Sequence, residues 1–250
     1  MDRLRRKWWL IGLPLFLLLI LACTTSRKPL GNEVPDNADE WGLTEEQKGQ
    51  FAPEIARMDS LNATESRGGI VFTGSSSIRK WESLNNDMAP LPVANRGFGG
   101  AIIKQVTYQT GKLIVPLSPR LVVFYCGEND IANDKYPAEM PLDDFKAFVR
   151  TIRKRLPALG IIFVSLKPSP LRWQYWPKFQ RTNELIQNYV AQENKMWYVD
   201  VSKAMLGPNG RPKSELFISD SLHMSPAGYE LWTHLLKPEV AKHYDELRQN

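Results

Sequence analysis

Residues 70–77 read IVFTGSSS and combine three features that decide how the chain folds. The apolar, β-type run from Ile70 to Thr73 is typical of a buried strand. Gly74 lets the backbone turn sharply, and the serines then begin a short helical pattern. A serine here stands at the carboxyl end of a strand, where parallel α/β sheets open onto a crevice. Most serine-rich turns are structural, so the stretch indicates a nucleophile only if the chain also supplies partners for the serine.

The composition is that of an ordinary globular protein, with 43% hydrophobic and 24% charged residues in a chain of 250. This length suits one large α/β domain or two small ones. The formal net charge is +5, but residues 1–22 carry four basic residues against one acidic residue, which leaves +2 for the rest. So small a positive net charge does not indicate a surface that binds nucleic acid.

Residues 1–22 predict a signal peptide of the lipoprotein type. The basic start MDRLRRK precedes an apolar run from Trp8 to Ala22 that is shorter than the about 20 residues of a membrane span. The tetrapeptide ILAC resembles the lipobox of bacterial lipoproteins, which implies lipidation of Cys23; an uncleaved signal anchor is the alternative. Residues 23–43, rich in Pro and polar residues, then form a tether. We expect a lipid-anchored protein of the bacterial cell envelope that faces the periplasm or the exterior.

Short apolar runs alternate with helical patterns along the rest of the chain, residues 44–250. Strands are predicted at Ile70–Thr73, Pro92–Asn95, Leu121–Cys126, Ile161–Leu166 and Trp197–Val201. Helices are predicted from Thr44 to about Asn62 and at Ile102–Leu113, Leu142–Leu156, Phe179–Asn194 and Pro226–Leu247. This alternation indicates right-handed βαβ units and a parallel sheet covered on both faces. We find no internal repeat and expect a single domain.

Three turns that follow predicted strands carry residues suited to hydrolysis. The loop NRGFGG, residues 95–100, can direct backbone N–H groups towards an oxyanion, and residues 127–130, GEND, place an amide and two carboxylates at a strand end. Residues three apart on a turn can face each other, so Asp220 is expected to hold His223 through Nδ1 and leave Nε2 as a general base. The other two histidines, His234 and His243, are expected to be surface or packing residues of the last helix.

These segments, taken in order, resemble the four sequence blocks of the SGNH, or GDSL-type, hydrolase family over roughly residues 70–240. The resemblance implies an α/β, flavodoxin-like domain whose five-stranded parallel sheet has the order 2-1-3-4-5. It also implies a serine esterase or lipase that needs no metal and no cofactor. Ser76 would be the nucleophile, with His223 and Asp220 as base and acid. Ser76, Gly100 and Asn129 would form the oxyanion hole.

One position departs from the family pattern, because Ser75 stands where the Gly-Asp-Ser-Leu signature has its acid. The triad carboxylate comes from the last block, so we expect Ser75 to alter local hydrogen bonding without abolishing catalysis. The resemblance leaves two ester substrates open, acyl lipids and O-acetyl groups on carbohydrate or cell-wall polymer. The alternative is a catalytically silent lipoprotein that keeps the fold as a binding module.

Three further features have simpler interpretations. Cys126, within LVVFYCG, is expected to be a small buried core residue rather than a reactive thiol. The aromatic stretch RWQYW, residues 172–176, either lines an acyl or sugar pocket or forms a packed loop cluster. A metal site made of Glu128, Asp130 and His223 is disfavoured, because the resemblance already assigns the histidine.

Overall fold

The structure of the protein is a computed structural model that describes residues 42–249. The signal peptide, Cys23 and nearly all of the tether lie outside the described residues, so those predictions stay predictions. Between residues 42 and 249, no helix has both the length and the apolar character needed to cross a membrane.

The centre of the domain is a sheet of five parallel strands with the order β2-β1-β3-β4-β5, which confirms the predicted order. The strands are β1 (Ile70–Gly74), β2 (Val93–Gly97), β3 (Leu121–Tyr125), β4 (Gly160–Val164) and β5 (Met196–Val199). The predicted third and fourth strands, which ended at Cys126 and Leu166, ran one and two residues past the observed ends at Tyr125 and Val164. Both residues are apolar and buried but lie in the loops beyond the paired residues, so hydrophobicity alone does not mark the strand end.

Helices flank the sheet and alternate with its strands. In the described range they are α1 (Glu45–Gly49), α2 (Ala52–Ser60), α3 (Ser76–Arg79), α4 (Leu84–Met88), α5 (Ile103–Tyr108), α6 (Thr110–Leu113), α7 (Glu128–Ile131), α8 (Met140–Arg155), α9 (Trp176–Val190) and α10 (Pro226–Gln249). The helix predicted from Thr44 to about Asn62 is interrupted near Phe51, because Pro53 lacks an N–H and fits only the first turn of a new helix.

The helix predicted at residues 102–113 is also two helices, α5 and α6, which meet at Gln109. The hydroxyls of Thr107 and Thr110 donate to the carbonyl groups of Ile103 and Thr107. The apolar pattern continues across this junction, so the sequence predicted one continuous helix.

Two apolar layers cover the faces of the sheet, as expected for a parallel sheet. Successive side chains of a strand point to opposite faces, so Val71 lies in one layer and Phe72 in the other. The first layer receives Phe145 and Phe148 of α8 and further residues of α5 and α9; the second receives Trp232 of α10 and residues of α3 and α4. Burial of each such side chain contributes about 1.5–3 kcal/mol. Both faces are thus closed, and the strand ends remain open for loops.

The turn after β1 requires glycine at position 74. Gly74 has a φ of +136°, and a Cβ atom there would lie 1.8 Å from the carbonyl oxygen of Tyr125 on the neighbouring strand. The next residue, Ser75, donates its backbone N–H to that same oxygen at 3.0 Å. The chain therefore leaves the sheet abruptly, and α3 begins directly at Ser76.

Candidate active site

Ser76, His223 and Asp220 form a continuous series of hydrogen bonds at the carboxyl edge of the sheet. The Oγ atom of Ser76 lies 3.0 Å from Nε2 of His223, and Nδ1 of His223 lies 2.6 Å from Oδ2 of Asp220. Ser76 and His223 are 147 residues apart in the chain, so the contact depends on the fold. The structure brings together the three residues that the sequence singled out as nucleophile, base and acid.

The turn that carries Asp220 fixes the orientation of the histidine. Oδ1 of Asp220 accepts the backbone N–H groups of Leu222 and His223, each at 2.9 Å. Partial burial raises the pKa of Asp220, but the bonds from His223 and the two N–H groups outweigh it and lower the pKa to about 2. The carboxylate stays ionised at neutral pH and favours the tautomer with the proton on Nδ1. Nε2 is then left as an acceptor towards Ser76.

Of the three consecutive serines, Ser76 is the one that faces the histidine. Ser75 and Ser77 are buried, whereas Ser76 is partly exposed. The carbonyl of Ser75 accepts the N–H groups of Ile78 and Arg79 and so begins the short helix. Position 75 therefore acts through its backbone, at the strand end and at the start of α3.

Gly100 follows β2 and Asn129 lies in α7, which follows β3; the two segments touch each other at the same edge of the sheet as Ser76. Gly100 is exposed, with a φ of +70° in the left-handed region that glycine tolerates. Asn129, in α7, donates from Nδ2 to the carbonyl of Ala101 at 2.9 Å. The same carbonyl accepts the buried Sγ of Cys126 at 3.2 Å, and burial raises the pKa of that thiol, which confirms Cys126 as a core residue. Asn129 is thereby held next to the residue that follows Gly100.

Asn129 contacts a cluster of charged side chains that the sequence did not indicate as a cluster. Arg172 donates to Oδ1 of Asn129 at 2.7 Å and lies 3.3 Å from Oε2 of Glu128. Lys167 lies 2.8 Å from Oε1 of Glu128, and the hydroxyl of Tyr125 also donates to that carboxylate. The side chains of Glu128 and Lys167 are only 4% and 1% exposed. The Asn129 amide thus contacts Arg172, which connects it to the buried pair of Glu128 and Lys167.

The pKa values within this cluster follow from burial and from the neighbouring charges. Burial alone would raise the pKa of Glu128, but Lys167 and Arg172 together outweigh it and lower the pKa below its ordinary value. Burial lowers the pKa of Lys167, and Glu128 opposes that effect. Since the charges of Glu128 and Lys167 are out of water, the cluster is stable only while these two groups remain paired.

A comparison with known families adds an independent finding. The model of the GDSL-like lipase/acylhydrolase family matches residues 59–231, well over half of the chain. The chain belongs to this family. The protein is accordingly a carboxylic ester hydrolase, and the resemblance seen in the sequence is confirmed at the level of the family.

Individual relatives agree with this GDSL-like assignment. An isoamyl acetate-hydrolyzing esterase 1 homolog from Bos taurus is 28% identical over 185 residues, which cover 62% of this chain and 71% of the relative. A structure from Streptococcus pneumonia, described as a candidate platelet activating factor, has a TM-score of 0.69 at 22% identity and covers 82% of this chain and 99% of its own. A GDSL-like lipase from Bacteroides thetaiotaomicron has a TM-score of 0.61 at 22% identity and covers 78% and 97%. At such identities the two structures show the shared fold.

For Lys167 and Arg172 of the charged cluster, the sequence indicates only their position in the chain, in the loop that follows β4. The loop SLKPSPLR, residues 165–172, follows β4, which lies beside β3 in the sheet of this GDSL-like hydrolase. Its two cations are therefore placed near residues 127–130 by topology. Nothing in the local sequence marks Lys167 as buried or Arg172 as a partner of Asn129.

The aromatic stretch of the same loop forms a packed cluster. The ring of Trp173 lies against Trp176, with centroids 6.2 Å apart and an angle of 18° between the planes. The guanidinium carbon of Arg211 lies 4.5 Å from the centre of the Trp173 ring. The ring is thus engaged with other side chains of the protein, which favours the packed-loop interpretation over a stacking platform for sugars.

Asp130, His234 and His243 were the other candidates for acid–base or metal chemistry, and none of them joins the Ser76–His223–Asp220 series. Oδ1 of Asp130 accepts the N–H of Ile103 at 3.0 Å, and burial raises the pKa of this carboxyl to about 7. In the part of the chain that the structure describes, no group of three or more His, Cys, Asp and Glu side chains is placed to hold a metal ion. His234 is exposed, while His243 is buried and stacks on Trp197, so both predictions for these histidines are confirmed.

Proposed function

We propose that this hydrolase cleaves carboxylic esters through a triad of Ser76, His223 and Asp220 and a covalent acyl-enzyme. The observation that carries the proposal is the series of hydrogen bonds from Ser76 Oγ through His223 to Asp220, at 3.0 and 2.6 Å. A serine hydroxyl becomes a good nucleophile when an adjacent base accepts its proton and a third group orients that base. Both conditions are supported by the contacts of the site.

In the first half of the proposed reaction, Ser76 Oγ attacks the ester carbonyl while its proton passes to His223 Nε2. The tetrahedral intermediate then collapses, and His223 returns the proton to the leaving alcohol. In the second half, a water molecule gives a proton to His223 and attacks the acyl-enzyme, which releases the acid and restores Ser76. Asp220 stays ionised throughout and stabilises the imidazolium form of His223.

The oxyanion of both intermediates would be stabilised by three donors, the backbone N–H groups of Ser76 and Gly100 and the side-chain amide of Asn129. A carboxamide nitrogen carries two hydrogens, and Asn129 uses one of them on the carbonyl of Ala101. The second hydrogen is available to a substrate oxygen. Donors fixed before the reaction lower the barrier most, because they need no reorganisation when the charge develops.

Short acyl esters, and acetyl esters above all, are the substrate class that we propose first. The bovine relative is named for hydrolysing isoamyl acetate, and it is 28% identical over most of its length. O-Acetyl groups on carbohydrate or cell-wall polymer belong to the same chemical class. Esters of long acyl chains are the competing choice, and a chain-length series separates the two.

The test measures hydrolysis of p-nitrophenyl esters from acetyl to long acyl by the full-length protein in detergent. We expect Ser76→Ala to reduce kcat by about 10⁴-fold or more, with the acetyl ester preferred by the wild type. Ser75→Ala and Ser77→Ala are matched controls that should stay within a few fold of the wild type. Unchanged turnover in Ser76→Ala would reject the triad. A folded wild type without turnover or fluorophosphonate labelling would favour the binding-module alternative.

We also propose that the enzyme acts while anchored to the bacterial cell envelope by a lipid on Cys23. Support comes from the basic and apolar residues 1–22 and from the ILAC sequence that ends at Cys23. Cys23→Ser should move the esterase out of the membrane fraction and abolish labelling by a radioactive fatty acid. Labelling that persists in the variant would contradict the assignment.

A further inference from the structure

Arg172 makes two bonds that connect the proposed oxyanion donor with the buried charges behind it. One nitrogen of its guanidinium group donates to Oδ1 of Asn129 at 2.7 Å, and another lies 3.3 Å from Oε2 of Glu128. Its side chain is 19% exposed, so most of it is out of water. Only arginine among the cationic side chains presents several donors in one rigid plane, which allows both bonds at once.

The bond to Asn129 settles which way the carboxamide points. An Asn side chain can be turned by 180°, which exchanges its donor and acceptor atoms. Here a cation faces Oδ1 while the carbonyl of Ala101 accepts from Nδ2. The reversed amide would place its NH₂ group against Arg172 and its oxygen against that carbonyl, so both contacts would be repulsive. The donor side is therefore held beside the loop of Gly100.

The same bond strengthens Asn129 as a donor. A guanidinium group on the carbonyl oxygen withdraws electron density from the amide, and hydrogen bonds in a series polarise one another. Charge-assisted bonds of this kind are stronger than neutral ones. The N–H that remains on Nδ2 should thus bind a negative oxygen better than an isolated carboxamide does.

The loop that carries Arg172, residues 165–172, is held at both of its ends. The backbone N–H of Leu171 donates to the carbonyl of Ser221, inside the turn that joins Asp220 to His223. At the start of the loop, Asn183 of α9 exchanges two hydrogen bonds with the backbone of Leu166, at 2.8 and 3.0 Å. Arg172 is thus fixed relative to both parts of the site.

We propose that Arg172 is a positioning residue that orients and polarises the Asn129 carboxamide, with the Glu128–Lys167 pair as its buried support. The inference rests on the proposed function, in which Asn129 stabilises the oxyanion. Arg172 does not need to touch the substrate, since it acts through Asn129. Its effect belongs to the transition state, where negative charge develops on the substrate oxygen.

The test is a double-mutant cycle on hydrolysis of p-nitrophenyl acetate by the full-length enzyme. Asn129→Ala should lower kcat by about 10²- to 10³-fold, the usual effect of losing one oxyanion donor. Arg172→Ala should lower kcat by about 10- to 100-fold and leave KM within about 3-fold, because a lost transition-state contact reduces kcat. In the Asn129→Ala background, Arg172→Ala should change kcat by less than about 3-fold.

Two further variants separate positioning from a general effect on folding. Arg172→Lys keeps a cation beside Glu128 but cannot also reach Asn129 with a planar fork, so its kcat should fall with a folded protein. If Arg172→Ala does not fold, the cycle is run with Arg172→Lys. Arg211→Ala is the matched control, because Arg211 packs on the neighbouring Trp173 without contact to the proposed site residues, and it should keep the wild-type kcat.

The results distinguish failure of this inference from failure of the proposed function. If Ser76→Ala is inactive and Asn129→Ala is slow, while the effects of Asn129→Ala and Arg172→Ala multiply, the positioning role of Arg172 is rejected and the triad stands. A wild-type kcat in Arg172→Ala and Arg172→Lys rejects it as well. Turnover that survives in Ser76→Ala rejects the proposed function itself.

Discussion

The nucleophile half of the site lies close to solvent, whereas the oxyanion half rests on buried charge. In the first half, the side chain of Asp220 is 41% exposed and its bonds run to His223 and to the backbone of its own turn. In the second half, Asn129 is held by Arg172, which shares Glu128 with the buried Lys167. The acid and the base come from one short turn, residues 220–223, whereas the oxyanion half joins two distant parts of the chain, residues 128–129 and 167–172.

Because of this difference, we expect the carboxylate of Asp220 to affect mainly activity and that of Glu128 to affect mainly stability. An exposed carboxylate adds little to stability, because water replaces its bonds in the unfolded chain, but it can still control where a histidine carries its proton. A buried carboxylate between two cations contributes to stability, since its removal leaves charges out of water without a partner. Replacing carboxylate by carboxamide at three positions therefore tests the comparison directly.

The largest effect is expected for Asp220→Asn and concerns activity. An amide NH₂ group facing Nδ1 favours the histidine tautomer with its proton on Nε2, which cannot accept the proton of Ser76. We expect kcat for p-nitrophenyl acetate to fall by about 10⁴-fold. The free energy of unfolding in urea should change by no more than about 1 kcal/mol, because the side chain is exposed.

Asp245→Asn provides the control for this substitution. Asp245 is exposed in α10 and pairs with Arg248, so its replacement removes the same charge without touching the histidine. Its kcat should equal that of the wild type. A large loss of stability in Asp220→Asn, or a kcat within 10-fold of the wild type, would contradict the assignment of the two halves.

The second effect is expected for Glu128→Gln and concerns stability. The carboxamide leaves Lys167 and Arg172 without a negative partner, and Lys167 is only 1% exposed. Breaking a buried ion pair from one side costs about 3–5 kcal/mol, measured as the free energy of unfolding in urea. Glu184→Gln, which removes an exposed partner of Arg181, should cost at most about 1 kcal/mol. Equal losses in the two variants would show that the cluster is not held by its buried charge.

The two halves also differ in how far the sequence predicted them. Asp220 and His223 are three residues apart and follow one turn, so their spacing alone indicated the contact. Glu128 lies 39 residues from Lys167 and 44 from Arg172, and such pairs are visible only once β3 and β4 are known to be neighbours. The strands were predictable because buried strands appear as apolar runs, and their order in the sheet followed from the resemblance to the GDSL-type family. The helix break at Gln109 was not predictable, since the apolar pattern continues across it.

The smallest effect is expected for Asp130→Asn. Unlike Glu128→Gln, this substitution should raise the free energy of unfolding. Burial raises the pKa of Asp130 to about 7, and nearby Asp144 adds to the rise, while the N–H of Ile103 and the charge of Lys104 oppose it. The folded chain therefore keeps this proton between about pH 4 and pH 7, where an unfolded chain has lost it. Because the folded state binds more protons in that window, its stability falls as pH rises through it.

Asparagine cannot ionise, and it still offers an oxygen to the N–H of Ile103. Asp130→Asn should thus match the wild type within about 1 kcal/mol near pH 4 and exceed it by about 2–4 kcal/mol at pH 8. Urea unfolding at pH values from 4 to 8.5 measures the difference, and Asp134→Asn, on an exposed loop, is the control for the lost charge. A difference that does not vary with pH would mean that Asp130 is already ionised in the folded state. A gain that grows from pH 4 to pH 7 would show that this carboxylate, unlike Glu128, is buried at a net cost, because no cation among residues 42–249 is bonded to it.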